Sequence, residues 1–589
     1  MTLHAHYDVV IIGAGLAGLS LARQLQLERP GIRILHLEKR PVVPPAGQKV
    51  GEATVQVSGY YFSKVLQLEE YLLREHYLKY NLRFFWKTAG KANDRYEDYC
   101  QSYIRSISNV ASYQLNRNTL EAELIRRNTA AGEYHLQLSV LGHDVAIDPS
   151  GPHTVTFRTR EGETTVTTDW YVDSSGRAHA LAKRKGLERK NAIRHGTTFF
   201  WVDGLVNVEE LTDSTPTQIR LNPARRQIGH LPFWLATNHF CGEGYWFWVI
   251  PLQGRTSFGL VYDTKRVARE DVDTPTKLRD WICRQFPLFA RDLPHREIVH
   301  HGVINDFSFD CVQTIDQARW AMVGEAGRFT DPLYSPGGDL IAIHNTLVTD
   351  AILTRDGTEL ATKAPMYEQL LQAFYAAYLP SYVTSYDALG DQESMTIKYT
   401  WELTIYFGFY VFAFVNGLLT DRRFIISFLK AFSRLGRLNA SLQSLINGYY
   451  HWKKTARTPQ TEPHFNDFMA VGALAMAEKA FYDVGVSIDE ARMVLDKQYA
   501  NAAELARYLA AHIHASVLDD PSLVRNRQFV ESLDLERLVF DTDLMKRAAE
   551  AAAGCMDEYP WSWCSKALEG FSTPRVDAGM PATAVMEHV

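Results

Sequence analysis

The chain has 589 residues, of which 46% are hydrophobic and 22% charged, as is usual for a globular protein of two to four domains. Its net charge of −6 gives no excess of basic residues that would indicate nucleic-acid binding. The six cysteines show no C-x-x-C spacing, so neither a zinc site nor a disulfide framework is implied. No signal peptide fits before the first predicted strand, and a cytoplasmic location is therefore expected.

The N-terminal segment predicts a dinucleotide-binding βαβ unit. An apolar strand over Val9–Ile12 enters the loop Gly13-Ala14-Gly15-Leu16-Ala17-Gly18, and helical periodicity follows over Leu16–Leu25. A second strand, Arg33–Leu37, ends in Glu38, whose carboxylate suits ribose hydroxyls. The glycines allow a tight turn, a close approach to a pyrophosphate and close packing of helix on strand.

The rest of the chain divides at about residue 355. Residues 1–355 have the pattern of an α/β core with inserted antiparallel strands, and residues 190–310 are expected to form a substrate-binding sheet over the cofactor. Strands are expected to stop after residue 355, where helical periodicity takes over. We expect a polar linker over Lys453–Pro463, a capping box at Ser487–Glu490 and a mobile tail after residue 572.

Leu403–Val415 is an uncharged run rich in Phe and Tyr. It is shorter than the ~20 residues of a membrane-spanning helix. A buried helix, or a groove for an apolar substrate, is the favoured interpretation, and membrane contact is not expected.

Three further motifs add a family resemblance. Trp246–Pro251 spells W-x-W-x-I-P, Phe329–Gly337 fits F-x-x-P-x-x-S-x-G, and Leu78–Phe85 resembles a segment that carries an essential lysine. Together they resemble flavin-dependent halogenases, in particular the monodechloroaminopyrrolnitrin and chloramphenicol types. The resemblance is specific from residue 5 to about residue 350.

The resemblance implies an α/β fold: an FAD-binding Rossmann-like core of the glutathione-reductase and hydroxylase type, with an inserted antiparallel substrate sheet and an α-helical C-terminal region (residues 356–589). The absence of a second G-x-G-x-x-G loop favours FAD over a built-in NAD(P)H site. A separate flavin reductase would then supply reduced FAD. The implied cofactor contacts are Gly13, Gly15, Ala17, Gly18, Glu38, Lys39, Glu52, Arg117, Asp173, Glu325, Pro332, Gly337 and Gly338.

The resemblance also implies catalytic roles for Lys79 and Ser335. Halogenases oxidise a halide, chloride or bromide, to hypohalous acid, and a lysine beside the substrate directs the halogen as a hydrogen-bond donor or as a haloamine. On spacing alone Lys64 and Lys87 are equal candidates; the family motif selects Lys79. Trp246 and Trp248 are expected to wall the substrate off from the flavin, although a strand so rich in aromatic residues also suits a core.

The motif loop departs from the family pattern at three positions. Pro336 lacks the N–H that a halide would use, so that Gly337 and Gly338 must donate instead. Asp339 would repel an anion if it faced the halide. Tyr334 replaces the glutamate of tryptophan halogenases, which makes tryptophan an unexpected substrate.

The sequence therefore predicts a reduced-FAD- and oxygen-dependent halogenase. Its substrate would be an electron-rich aromatic, either a free small molecule or one tethered to a carrier protein. A non-halogenating FAD-dependent monooxygenase or oxidase on the same scaffold stays open because of Pro336 and Asp339. A catalytically idle FAD-binding protein is the third interpretation, and Lys79 argues against it.

Overall fold

The structure is a computed structural model that describes residues 3–47, 49–222, 229–563, 568–571 and 575. Apart from Arg575, the tail expected to be mobile after residue 572 lies outside these residues.

The strands are short and spread over most of the chain. In chain order they are β1 (His6–Ile12), β2 (Ile34–Leu37), β3 (Tyr77–Leu78), β4 (Leu82–Trp86), β5 (Cys100–Tyr103), β6 (Tyr113–Gln114), β7 (Tyr134–Gln137), β8 (Gly142–Ala146), β9 (His153–Thr159), β10 (Gly162–Asp173), β11 (Glu188–Arg189), β12 (His195–Asp203), β13 (Thr237–Gly242), β14 (Tyr245–Leu252), β15 (Arg255–Asp263), β16 (Ile298–Ile304), β17 (Asp310–Cys311), β18 (Ile315–Asp316), β19 (Trp320–Met322) and β20 (Phe465–Asp467).

The helices are concentrated in the second half of the chain. They are α1 (Leu16–Glu28), α2 (Gln56–Tyr60), α3 (Glu69–Glu75), α4 (Arg117–Ala130), α5 (Ala180–Lys185), α6 (Pro216–Leu221), α7 (Pro275–Gln285), α8 (Pro336–Leu353), α9 (Gly357–Val383), α10 (Gln392–Ile405), α11 (Phe412–Val415), α12 (Arg422–Ala456), α13 (Gly472–Ala480), α14 (Ile488–Leu518), α15 (Arg527–Ser532) and α16 (Thr542–Ala552).

The first sheet is the parallel core expected from the N-terminal pattern. Its strand order is β18-β19-β10-β1-β2-β7, and β1 runs parallel to both β10 and β2. Strands β8 and β9 extend it as an antiparallel arm on β10. Because β1 lies between two neighbours and under α1, its apolar run is almost fully buried, as in other parallel sheets. The predicted α/β fold class is confirmed.

The second sheet has the order β16-β12-β15-β14-β13-β4-β5-β20. It is antiparallel except for β13 with β4 and β5 with β20. Residues 195–304 supply its larger part, close to the expected 190–310, but two strands come from residues 82–103. The expectation that strands stop after residue 355 is wrong at β20, whose backbone pairs with β5 at the open edge of this sheet.

The C-terminal region is a helical layer that packs on this second sheet. Helix α12 packs against α9 and α14, and α10 contacts β5. The capping box at the start of α14 is confirmed: Ser487 Oγ accepts the N–H of Glu490, whose carboxylate accepts the N–H of Ser487. The linker predicted from Lys453 begins later, because α12 continues to Ala456.

The aromatic run Leu403–Val415 forms a buried helical segment, as predicted. It consists of the end of α10, a π-helix over Tyr406–Val411, and α11. Among the described residues, no helix is both long and apolar enough to cross a membrane.

Candidate active site

The glycine loop opens into a cavity between the two sheets, which we call the glycine-loop cavity. Gly13 has a φ of +94° and lies so close to Ser174 O that a Cβ would overlap it. A Cβ at Gly18 would overlap Ser174 Oγ, whereas one at Gly15 would meet nothing within 4 Å. Gly13 and Gly18 therefore shape the turn and its packing, and Gly15 leaves open space at the start of α1.

The glycine-loop cavity brings together most of the residues selected from the sequence. Those that line it are Gly15, Ala17, Glu52, Arg117, Trp246, Trp248, Glu325, Pro332, Ser335, Gly337 and Gly338.

Five predicted cofactor contacts do not line this cavity: Gly13 and Gly18, which shape the turn, and Glu38, Lys39 and Asp173. Glu38 accepts the N–H of Ala14 at 2.8 Å and of Arg40 at 2.9 Å, which places its carboxylate beside the glycine loop. Lys39 is exposed. Asp173 is fully buried and accepts two backbone N–H groups of the turn after β10, so its role in the structure is to hold that turn.

Three polar side chains define the inner end of the glycine-loop cavity. Glu52 is buried and accepts the Trp201 indole N–H at 2.5 Å. Arg117 donates to Val50 O at 2.7 Å, but its buried Nε has no hydrogen-bond partner among the described residues. Glu325 faces the cavity, and the surrounding protein raises the pKa of its carboxyl by desolvation.

The two tryptophans line the glycine-loop cavity from β14. Trp248 Nε1 donates to Ser257 Oγ at 3.0 Å, and Ser257 in turn donates to Glu52 at 2.6 Å. Trp246 Nε1 donates to Tyr386 OH at 2.9 Å, which ties β14 to the helical region. These bonds fix both rings, as the substrate-wall hypothesis requires, yet neither ring borders the cavity that holds Lys79.

Lys79 lies in a second cavity, the Lys79 cavity, between the second sheet and the helical region. Its side chain follows β3, is 5% exposed and donates from Nζ to Thr54 O at 2.7 Å. Because Thr54 lines the glycine-loop cavity, Lys79 lies at the boundary of the two cavities. Burial lowers the pKa of Lys79 to about 7, while Asp339 raises it. The alternative lysines, Lys64 and Lys87, are exposed and line neither cavity.

The motif loop lies between the two cavities and contributes residues to the lining of each. Ser335, Gly337 and Gly338 line the glycine-loop cavity, whereas Pro336 and Asp339 line the Lys79 cavity. Ser335 has a φ of +62°, a conformation that costs energy for a residue with a side chain and recurs at functional sites. Helix α8 begins at Pro336, so the N–H groups of Gly337 and Gly338 lie in its first turn.

Several residues of the site were not found from the sequence. His239 lines the glycine-loop cavity, and burial lowers its pKa to about 3, so that it is neutral. Arg328 also lines it and pairs with Asp310 and Glu368. The Lys79 cavity takes Glu402 and Tyr406 from the helical region. These residues share no motif, and only Tyr406 was indicated, by the groove interpretation of Leu403–Val415.

The glycine-loop cavity fits FAD. The open space at Gly15, the first N–H groups of α1 and the Glu38 carboxylate match the needs of a pyrophosphate and a ribose. The unpartnered Nε of Arg117 is a free donor for an acceptor on the cofactor. FAD would therefore lie on residues of both sheets, with its phosphates at α1.

Comparison with known proteins supports this assignment. The chain is 28% identical over 390 residues to the flavin-dependent halogenase chlA of Dictyostelium discoideum, a match that covers 63% of each protein. It is 26% identical over 356 residues to tetracycline 7-halogenase of Kitasatospora aureofaciens, covering 56% of this chain and 60% of that relative. The chain thus spans about three fifths of the length of these relatives.

A solved structure shares the fold. The halogenase PltM in complex with phloroglucinol and FAD superposes with a TM-score of 0.58 at 15% sequence identity, over 85% of this chain and 96% of PltM. The resemblance to flavin-dependent halogenases is confirmed by these relatives, and the expectation of FAD by the family match. Residues 8–319 match the model of the family described as FAD dependent oxidoreductase, and the chain belongs to that family.

Proposed function

We propose that the protein is a flavin-dependent halogenase that uses Lys79 to direct hypohalous acid onto an electron-rich aromatic substrate. The observation that carries this proposal is the position of Lys79. Its ammonium is bound to Thr54 O at the boundary between the glycine-loop cavity and a second, aromatic-lined cavity. Reduced FAD, when bound, supplies the electrons that allow oxygen to convert a halide into hypohalous acid.

Lys79 suits the transfer step because of its environment. A buried ammonium with a pKa of about 7 is a strong hydrogen-bond donor and also gives up its proton near neutral pH. The Lys79 cavity is lined on its other sides by Tyr378, Tyr382 and Tyr399 and by apolar side chains, so it suits an aromatic ring.

The halide is proposed to rest on the N–H groups of Gly337 and Gly338. Both glycines line the glycine-loop cavity at the start of α8, where unpaired N–H groups attract anions. Asp339 accepts the N–H of Ser58 and lines the opposite cavity, which removes the main electrostatic objection raised by the sequence. A separate flavin reductase is proposed as the source of reduced FAD.

The test is substrate consumption at a fixed supply of reduced FAD, with and without bromide or chloride, together with monochlorodimedone as a trap for hypohalous acid. Halide-dependent turnover and trapping are expected. Equal turnover in halide-free buffer would favour the alternative, a non-halogenating monooxygenase or oxidase. Rapid NADPH oxidation without added reductase would contradict the separate source of electrons.

A further inference from the structure

We propose that Asp339 is a second catalytic residue of the Lys79 cavity, where its carboxylate takes the proton of a phenolic hydroxyl as the ring is halogenated. The inference rests on the proposed halogenase function and adds the substrate class, a neutral phenol.

The geometry of Asp339 leaves one carboxylate oxygen available. The residue lies in the first turn of α8, is 2% exposed and lines the Lys79 cavity. Its Oδ1 accepts the N–H of Ser58 at 2.8 Å. Its Oδ2 is buried and has no hydrogen-bond partner among the described residues. A buried carboxylate oxygen without a donor is costly, and a substrate hydroxyl would satisfy it.

The charges around Asp339 suit proton exchange near neutral pH. Burial raises the pKa of Asp339 to about 6, while the bonds from Ser58, the nearby Tyr406 hydroxyl and the charge of Lys79 lower it. The other titratable groups acting on it are the hydroxyls of Tyr378, Tyr406 and Tyr410, and burial raises the pKa of all three. Asp339 is thus the group near Lys79 that is both anionic at pH 7 and able to accept a proton.

The cavity offers acceptors for hydroxyl groups on a substrate. Glu402 lines the same cavity, and its Oε2 is also buried without a partner among the described residues. Its Oε1 is satisfied by Lys398 at 2.5 Å and Gln443 at 2.8 Å. Lys398 and Lys79 balance the charges of Glu402 and Asp339, so what the two carboxylates add to the lining is buried oxygens that hydroxyl donors on a substrate would satisfy.

The step balances with hypohalous acid as the only co-reactant. The phenolic proton passes to Asp339 while an electron pair of the ring forms the carbon–halogen bond. The oxygen–halogen bond breaks, and its electron pair stays on oxygen, which takes a proton from the Lys79 ammonium and leaves as water. The resulting dienone loses its ring proton to the neutral Lys79 amine, and Asp339 returns the first proton to the oxygen of the product.

The test compares resorcinol with its dimethyl ether, 1,3-dimethoxybenzene, in the wild-type enzyme and in Asp339→Asn. For resorcinol, kcat/KM should fall at least 100-fold in Asp339→Asn, within the range general-base catalysis supplies. The ether has no proton to give, so its already low rate should change by less than about 3-fold. Monochlorodimedone trapping and FAD fluorescence quenching should match the wild type, which shows that the variant folds and makes hypohalous acid.

The wild-type enzyme provides a second readout that needs no variant. Its kcat/KM for resorcinol should rise with pH through about 6, as Asp339 loses its proton. The inference is overturned if both substrates lose activity equally in Asp339→Asn, or if the wild-type profile is flat between pH 5 and 7. Failure of trapping in the wild type would instead refute the proposed halogenase function.

Discussion

At the scale of a single residue, Lys79 shows how much a buried charge lowers the stability of the folded protein. The side chain is 5% exposed and its pKa falls to about 7 because burial disfavours the ammonium. Each unit of such a shift corresponds to about 1.4 kcal/mol of lost stability in the protonated form. A lysine kept at this expense indicates a use in chemistry, since an apolar residue of similar size would stabilise the fold.

Replacement of Lys79 by methionine is expected to remove halogenated product and to stabilise the protein. Thermal unfolding at pH 6 should show a midpoint raised by a few degrees, because a desolvation cost of about 5 kcal/mol is removed and the lost attraction to Asp339 offsets only part of it. That gain is fully present below pH 7 and should shrink as pH rises towards 10.5, where the unfolded lysine is also neutral. Trapping of hypohalous acid should continue.

Lys64→Met is the matched control, because the Lys64 side chain is 52% exposed and its ion pair among the described residues is with Glu69. It should change neither product formation nor the thermal midpoint by more than about a degree. Near-normal product from Lys79→Met would remove Lys79 from its proposed role, and a lowered thermal midpoint beside an unchanged control would contradict the expected gain in stability.

At the scale of elements, the glycines of the glycine loop have two different functions, packing of α1 and space for the cofactor, which the sequence motif does not distinguish. Gly18 is needed because α1 packs directly against the turn at Ser174, whereas Gly15 leaves space in the glycine-loop cavity. The same motif thus contains one glycine for the fold and one for the cofactor.

Gly15→Ala is expected to weaken FAD binding, whereas Gly18→Ala is expected to lower the stability of the apoprotein. At Gly15 the backbone φ is −93° and an added methyl meets no protein atom within 4 Å, so the apoprotein should keep its stability. FAD affinity should fall at least 10-fold, because that methyl occupies cofactor space. Gly18→Ala should lower the stability of the apoprotein by about 2 kcal/mol or more through overpacking. FAD titration and thermal melts of both apoproteins measure this, and equal losses of stability would contradict it.

An element could be predicted from the sequence when the interactions that form it join residues close together in the chain. Strand β1, helix α1 and the capping box at Ser487 were predicted because neighbouring residues encode them. Strand β20 was missed because it has three residues and exists only through its pairing with β5, more than 350 positions away. The continuation of α12 to Ala456 was missed because tertiary packing there overrides a polar composition.

The site followed the same rule. Motifs located Lys79, Glu52, Arg117 and the loop at Ser335, which the structure gathers around two adjoining cavities. No local pattern indicates that Glu402, on a helix more than 300 residues later, would line the same cavity as Lys79. Nor does a local pattern show which way Asp339 points, because that depends on its bond to Ser58.

At the scale of the whole molecule, the helical C-terminal region forms part of the site and does not stand apart from the core. The Lys79 cavity is closed by α9, α10, the π-helix at Tyr406–Val411 and α12. A π-helix shifts side chains out of the regular helical order and recurs at functional sites. The family model ends at residue 319, so all of these helices lie outside the part of the chain that it matches.

Gly436 offers a direct test of that arrangement. It is an exposed residue in the middle of α12 that also lines the Lys79 cavity, and a Cβ there would meet no atom within 4 Å. Gly436→Ala should therefore stabilise α12 by about 0.5–1 kcal/mol without loss of activity.

Gly436→Phe should fold equally well but place a ring across the cavity, raising KM for an aromatic substrate at least 10-fold. Hypohalous acid formation, measured by monochlorodimedone, should be the same in both variants, because the glycine-loop cavity is untouched. If Gly436→Phe keeps a normal KM while Asp339→Asn fails, the substrate reaches Lys79 without passing α12, and the helical region serves only to cover the core.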